Sequence, residues 1–245
     1  MAERTQVAEG VHRLGSRLIN YYLVEDGDAL TLVDAGLPGL RPSLDSTLAA
    51  LGRSLPDIQA VVLTHAHGDH VGIAEKVRTE AGVPVYVHRA DETLARTRKQ
   101  PKRERSIVPY FRHGAAWGLI AHMAHNGFPP KIAAVTTFGD RDVIDVPGHP
   151  VAIPTPGHTD GHVSLHLPDR GVLFAGDAMN SRNPMTGRMG PQIMPGGFNI
   201  SSEQALESLG NLEGLEADVV LFGHGEPWTD GPAAAVARAR ELGPS

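Results

Sequence analysis

Thr64-His65-Ala66-His67-Gly68-Asp69-His70 decides the reading of this chain. Three imidazoles and a carboxylate fall directly after the short apolar run Val61-Val62-Leu63, which has the continuous hydrophobicity of a strand buried on both faces. His65 and His67 are two apart, so in extended backbone their side chains point the same way. Gly68 permits the tight turn needed there. Asp69 and His70 follow as the chain enters a helix predicted over Gly72–Ala81. Imidazole with carboxylate suits a divalent zinc, iron, manganese or nickel ion.

Three later loops repeat the theme. Pro156-Gly157-His158-Thr159-Asp160-Gly161-His162 follows a predicted strand, Ala175-Gly176-Asp177 ends another, and Phe222-Gly223-His224-Gly225 ends the last. Open α/β sheets place their sites at such strand ends. With the first cluster, these loops supply histidines 65, 67, 70, 158 and 224 and two aspartates, Asp69 and Asp177.

Strands are predicted over Val11–Leu14, Ile19–Val24 and Ala29–Val33, with Asp26-Gly27 as a hairpin turn. A helix is predicted from Pro42 to Leu51 and a strand over Pro84–His88, so strand and helix alternate as in an α/β protein. Strand patterns return at Val143–Val146, Val151–Pro154, His162–Leu167, Gly171–Ala175 and Val219–Phe222. Helices are predicted over Ser201–Leu212 and Gly231–Leu242. Residues 89–135 differ: Arg96, Arg98, Lys99, Lys102, Arg103 and Arg105 form a basic cluster, followed by Tyr110, Phe111, Trp117, Met123 and Phe128. This stretch reads as an inserted, mainly helical cap. No linker stands out, so residues 1–245 are expected to form a single domain.

The order His-x-His-x-Asp-His, then Gly-His, Gly-Asp and Gly-His, resembles the metallo-β-lactamase superfamily, from Asp34-Ala35-Gly36 to His224. The resemblance implies a four-layer αβ/βα sandwich carrying the cap as an insertion. It implies two divalent metal ions, zinc first, with iron or manganese as alternatives. One would be held by His65, His67 and His158, the second by Asp69, His70 and His224, with Asp177 bridging and a metal-bridging hydroxide as nucleophile. Such an ion pair lowers the pKa of its water to roughly 7. Asp69 or a metal-bound water is expected to protonate the leaving group. Asp34 is expected to orient a ligand histidine, and His162 to stand beside the ligands.

Departures from subfamily patterns narrow the expectation. One lactamase class uses a cysteine ligand, and this chain has no cysteine. Quorum-quenching lactonases carry a tyrosine shortly after the bridging aspartate, where this chain reads Ala178-Met179-Asn180-Ser181-Arg182-Asn183. Glyoxalase II enzymes add a helical C-terminal region, whereas here His224 is followed by about one helix's length of chain. The expected activity is hydrolysis of an ester, thioester or lactone. The alternatives are an iron-dependent persulfide dioxygenase-like oxidoreductase and a metal-dependent phosphodiesterase. Arg103, Arg105, Tyr110 and Trp117 are the candidate substrate contacts in the cap, for a small molecule that is anionic or carrier-linked. Homo-oligomerisation is left open.

The chain has 245 residues, 22 Lys+Arg against 28 Asp+Glu, and a net charge of −6. That balance argues against a general polyanion binder and so against nucleic acid. Without cysteine there is no disulfide framework, thiolate site or cysteine nucleophile. No apolar run approaches the ~20 residues of a membrane span. Met1–Gly10 is polar and charged, unlike a secretory signal, and the expected location is the cytoplasm.

Overall fold

The computed structural model describes residues 5–244. Strands β1 (Thr5–Ala8), β2 (Val11–Gly15), β3 (Asn20–Asp26) and β4 (Ala29–Val33) form an antiparallel meander. From β4 the sheet continues in parallel through β5 (Ile58–Val62), β6 (Val85–His88) and β7 (Thr136–Phe138). Helix α1 (Arg41–Ala50) makes the β4–β5 crossover and α2 (Ala74–Ala81) the β5–β6 crossover. The β6–β7 connection is the long one. It holds α3 (Glu92–Thr97), a 3-10 turn over Val108–Arg112 and α4 (Gly114–Asn126), which together form the cap.

The second sheet has four strands, β8 (Val151–Pro154), β9 (Val163–Leu167), β10 (Val172–Gly176) and β13 (Val219–Phe222), in the order β13-β10-β9-β8. Between β10 and β13 lie a short ribbon, β11 (Asn180–Arg182) with β12 (Met189–Gln192), and helix α5 (Ser202–Ser208). Helix α6 (Gly231–Leu242) closes the described chain.

Apolar patterning explains the layering. Tyr22, Val24, Val33 and Val62 from the first sheet pack on Val163, Leu165, Phe174 and Leu221 from the second. The opposite face of the first sheet, with Leu23, Leu32 and Val61, packs on Leu44, Leu48 and Val77 of α1 and α2. The opposite face of the second, with Leu173 and Val220, packs on Ala205, Ala235 and Val236 of α5 and α6. The order is helices, sheet, sheet, helices, the four-layer αβ/βα sandwich. Each fully buried Leu, Val or Phe contributes about 1.5–3 kcal/mol, and both sheets are apolar on both faces, as such layering requires.

Several boundaries differ from the sequence reading. Val143–Val146 is not a strand. Val143 makes one isolated bridge to Val151, while Ile144 and Val146 are buried side chains on a loop. Left-handed backbone at Arg141, Gly148 and His149 forces the turn there that prevents a ladder. The predicted Ser201–Leu212 helix is α-helical only to Ser208, and a 3-10 turn covers Leu209–Asn211. β1, β7, β11 and β12 were not anticipated; they are short, and β11 and β12 lie in a stretch rich in Gly and Pro.

Candidate metal centre

The C-terminal ends of β4, β5, β8, β10 and β13 converge at one edge of the sandwich. Asp34 follows β4. His65, His67, Asp69 and His70 follow β5, and His158, Asp177 and His224 follow β8, β10 and β13. The loop after β5 is clamped by backbone bonds to the loop after β4: Ala35 N–H donates to His70 O (2.7 Å) and Gly72 N–H to Gly36 O (2.7 Å). A Cβ at Gly72 would lie 2.3 Å from Gly36 O, so this approach requires glycine.

The seven predicted ligands meet here. His65, His67 and His158 form one group, Asp69, His70 and His224 a second, and His65, His70 and Asp177 a third. Within each group the candidate ligand atoms lie within 4.8 Å of one another. Asp177 lies between the two sets: its Oδ2 is 3.4 Å from both His158 Nε2 and His224 Nε2, and its Oδ1 is 3.5 Å from His70 Nε2. Asp69 Oδ2 is 3.5 Å from His224 Nε2. His67 Nδ1 and His158 Nε2 stand 2.7 Å apart.

What holds the imidazoles also fixes their protons. His70 Nδ1 donates to Asp34 Oδ2 (2.8 Å) and His224 Nδ1 to the Leu18 carbonyl (2.5 Å). His158 Nδ1 donates to Asn199 Oδ1 (3.1 Å), whose amide orientation is set by Nδ2 donating to Met194 O and Ser202 Oγ. Thr64 Oγ1 donates to Asp34 and so accepts from His65 Nδ1 (3.1 Å). In the neutral ring, Nε2 of each of these four histidines therefore carries a bare lone pair. Nε2 of His65, His70 and His224, and Asp177 Oδ1, are buried with no hydrogen-bond partner. Acceptors thus face acceptors across 3.4–3.5 Å. Orphaned buried acceptors of this kind are costly unless a cation lies among them, so the residues fit divalent metal.

The electrostatics agree. Burial, then the neighbouring imidazoles, holds His65 and His67 well below the usual histidine range, the neutral form that ligates. Burial also opposes charge on His70 and His224, yet Asp177 overrides it and raises both. Positive charge is therefore called for beside Asp177. Glycine makes room: a Cβ at Gly223 would lie 2.2 Å from Asp177 Oδ1 and 2.7 Å from His70 Cε1.

Asp34 sits in left-handed backbone (φ 57°) that turns its carboxylate back toward Thr64 and His70. His162 lies beside the cluster; its Nε2 accepts from the Asp177 N–H (3.0 Å) and its Nδ1 pairs with Thr155 Oγ1. Sequence reasoning missed Asp91, whose buried carboxylate accepts from Ala66 N–H (2.9 Å), Thr159 Oγ1 (2.8 Å) and Gly161 N–H (2.9 Å). It also missed Asn199 and the Leu18 carbonyl. None of these three belongs to a motif, and only the fold brings them in.

Above the cluster is a cavity of about 310 Å³, with His67, Asp69, His158, Asp177 and His224 on its floor. Leu119, Met123, Phe128, Pro129, Met194 and Phe198 give it apolar walls, and Arg98, Gln100 and Arg103 also line it. Of the four cap residues singled out from sequence, Arg103 is in this lining. Arg105, Tyr110 and Trp117 are not: Arg105 pairs with Glu104, Tyr110 packs near Ala116 and Leu119, and Trp117 is 59% exposed.

The sequence profile of the metallo-β-lactamase superfamily matches residues 14–224, the span that carries every residue of the cluster. The chain belongs to that superfamily. Among curated relatives, the probable metallo-hydrolase YflN of Bacillus subtilis (strain 168) is 29% identical over 91% of this chain and 87% of its own length. The hydroxyacylglutathione hydrolase of Rhizobium meliloti (strain 1021) is 31% identical over 80% of this chain, though over only 57% of its own length. Among solved structures, a metallo-β-lactamase family protein from Thermus thermophilus superposes with a TM-score of 0.68 at 25% identity, covering 97% of this chain and 79% of that one. A B3 metallo-β-lactamase with an active-site glutamic acid gives 0.71 at 20% identity over 98% and 88%, a likeness of fold alone. The protein is thus a metallo-hydrolase of this superfamily.

Proposed function

We propose that this metallo-hydrolase cleaves a carboxylic ester, thioester or lactone with two divalent metal ions, zinc before iron or manganese. His65, His67 and His158 would hold one ion and Asp69, His70 and His224 the other, with Asp177 shared between them. The observation that carries this reading is the set of bare, buried Nε2 atoms facing the Asp177 and Asp69 carboxylates. When bound, the two ions supply an activated water at neutral pH and polarise the substrate carbonyl.

The chain's own residues supply the rest. Asp34, Asn199 and the Leu18 carbonyl hold the ligand rings in one tautomer and one direction. His162 anchors the Asp177 backbone. Asp69 is less deeply buried than Asp177 and lines the cavity, where it can take a proton and return it to the leaving oxygen or sulfur. The apolar walls lower the polarity around the floor and so strengthen charge interactions there. Thioesters enter the proposal with particular support from the relative named for hydrolysing hydroxyacylglutathione. A cytoplasmic, small-molecule setting is part of the same proposal; no helix among the described residues is long and apolar enough to cross a membrane.

The test is a panel of esters, thioesters and lactones given to the zinc-loaded protein. Turnover of at least one class, abolished by His67→Ala with loss of a metal equivalent, is the expected result. Inertness across the panel, with persulfide-dependent oxygen uptake by the iron-loaded form or release of a phosphomonoester and an alcohol from a phosphodiester, overturns the proposal.

A further inference from the structure

The four arginines of the 96–105 cluster divide into two pairs. Arg96 pairs with Glu92 (3.2 Å) and Arg105 with Glu104 (3.3 Å), and neither lines the cavity. Arg98 and Arg103 do line it, and among the described residues neither has a carboxylate within ion-pair distance. Arg98 is half-buried and sits in left-handed backbone (φ 60°), past the end of α3. Its Nη1 donates to the Ala66 carbonyl (2.7 Å), and its Nη2 lies against Gly68, between ligands His67 and Asp69. The Arg103 guanidinium stacks on Phe198 at 5.2 Å. Stacking occupies its face and leaves the N–H donors around its edge.

The rest of the lining differs in kind. From His113 to Pro130 there is no Asp, Glu, Lys or Arg. Leu119 and Met123 of α4 face the cavity, and Phe128 lines it while remaining 79% exposed, so the apolar wall runs out to the surface. Granted the two metals of the proposed function, positive charge on this floor outweighs Asp69 and Asp177, and Arg98 and Arg103 add to the surplus. A neutral substrate would leave the half-buried Arg98 guanidinium and the exposed Arg103 guanidinium without a counter-charge, and for Arg98, partly withdrawn from water, that costs free energy.

We infer that the substrate of this site is an amphiphile: an acyl ester or thioester whose apolar body lies along Leu119, Met123 and Phe128, with an oxyanion handle, carboxylate or phosphate, bound by Arg103 and Arg98. The inference rests on the proposed hydrolase reading. It replaces the sequence expectation of an Arg103–Arg105 pair, since Arg105 is turned to Glu104 and Arg98 stands in its place at the cavity.

The experiment measures binding and turnover separately. Binding to the zinc-loaded protein is followed by calorimetry with hexananilide, its ω-carboxylate and its ω-phosphate, which resist cleavage. One guanidinium–oxyanion contact at a partly exposed lip is worth about tenfold in affinity. One or both charged anilides are therefore expected to bind about tenfold tighter than the neutral one, and the tighter of the two identifies the handle. Arg103→Gln should erase the difference with metal content intact, Arg105→Gln should keep it, and salt should shrink it. Equal binding of all three anilides, or a preference that survives Arg103→Gln, overturns the inference. The matching para-nitrophenyl esters, their thioester counterparts and a lactone report on the parent reading: if none is cleaved while the anilide preference follows Arg103, the ester, thioester and lactone reading fails and the oxyanion subsite stands.

Discussion

Asp91 offers the most direct test of how the two histidine loops are held. Its carboxylate is 2% exposed and receives three donors, two from the backbone at Ala66 and Gly161 and one from Thr159. Ala66 lies between the proposed ligands His65 and His67, and Thr159 follows the proposed ligand His158, so one side chain fastens both loops. Burial pushes the Asp91 carboxyl up, against the pull of those hydrogen bonds. Hydrogen bonds to a charged acceptor contribute about 1.5–3 kcal/mol each. Asp91→Ala strands two buried N–H groups and a hydroxyl, and water entering the vacated space recovers part of the loss, so we expect a net cost of about 3 kcal/mol. For a chain of this size that is a fall in Tm of about 6–12 °C. Loosened ligand loops should also weaken metal binding by about 10–100-fold. Calorimetric melting of zinc-loaded and metal-stripped protein, with chelator competition, reads both effects. Asp91→Ala with parental zinc affinity and a Tm within about 1 °C would refute the clamp.

Gly223→Ala should abolish binding of at least one metal while leaving α6 and the second sheet folded, because its Cβ would sit 2.2 Å from Asp177 Oδ1; two metals by elemental analysis would contradict this. Metal loss on acidification should be stepwise. In the metal-free centre Asp177 raises His70 and His224 despite burial, while burial keeps His65 and His67 low, so protons compete at the Asp69–His70–His224 cluster at the higher pH. Dialysis at falling pH should release that equivalent first, and prior release from the His65–His67–His158 cluster would refute the ordering. Asn199→Leu should lower zinc affinity by about tenfold, since His158 loses the acceptor that fixes its Nδ1–H; unchanged affinity under chelator competition would count against that role.

The clustered residues were legible in the sequence because histidine and aspartate fall there in short, spaced runs, each set at the end of a strand with its own hydrophobic signature. His65, His67, Asp69 and His70 share one such run, and Gly-His or Gly-Asp marks His158, Asp177 and His224. The support around them has no such mark. Leu18 contributes only a carbonyl, which any residue carries. Asn199 acts through a fold that brings residue 199 to residue 158, and Asp91 bridges two loops that lie far apart in the sequence. The cap shows the same division: its basic and aromatic composition could be read, but not which arginine turns inward. Arg105 and Arg103 are two apart, yet Glu104 takes Arg105 outward while also receiving the Ser202 N–H at the start of α5. Arg98 reaches the floor because left-handed backbone ends α3 and turns the chain over Gly68. Charge is legible as composition, whereas its direction depends on partners chosen by packing. Substrate selection therefore belongs to the part of this protein that only the structure shows.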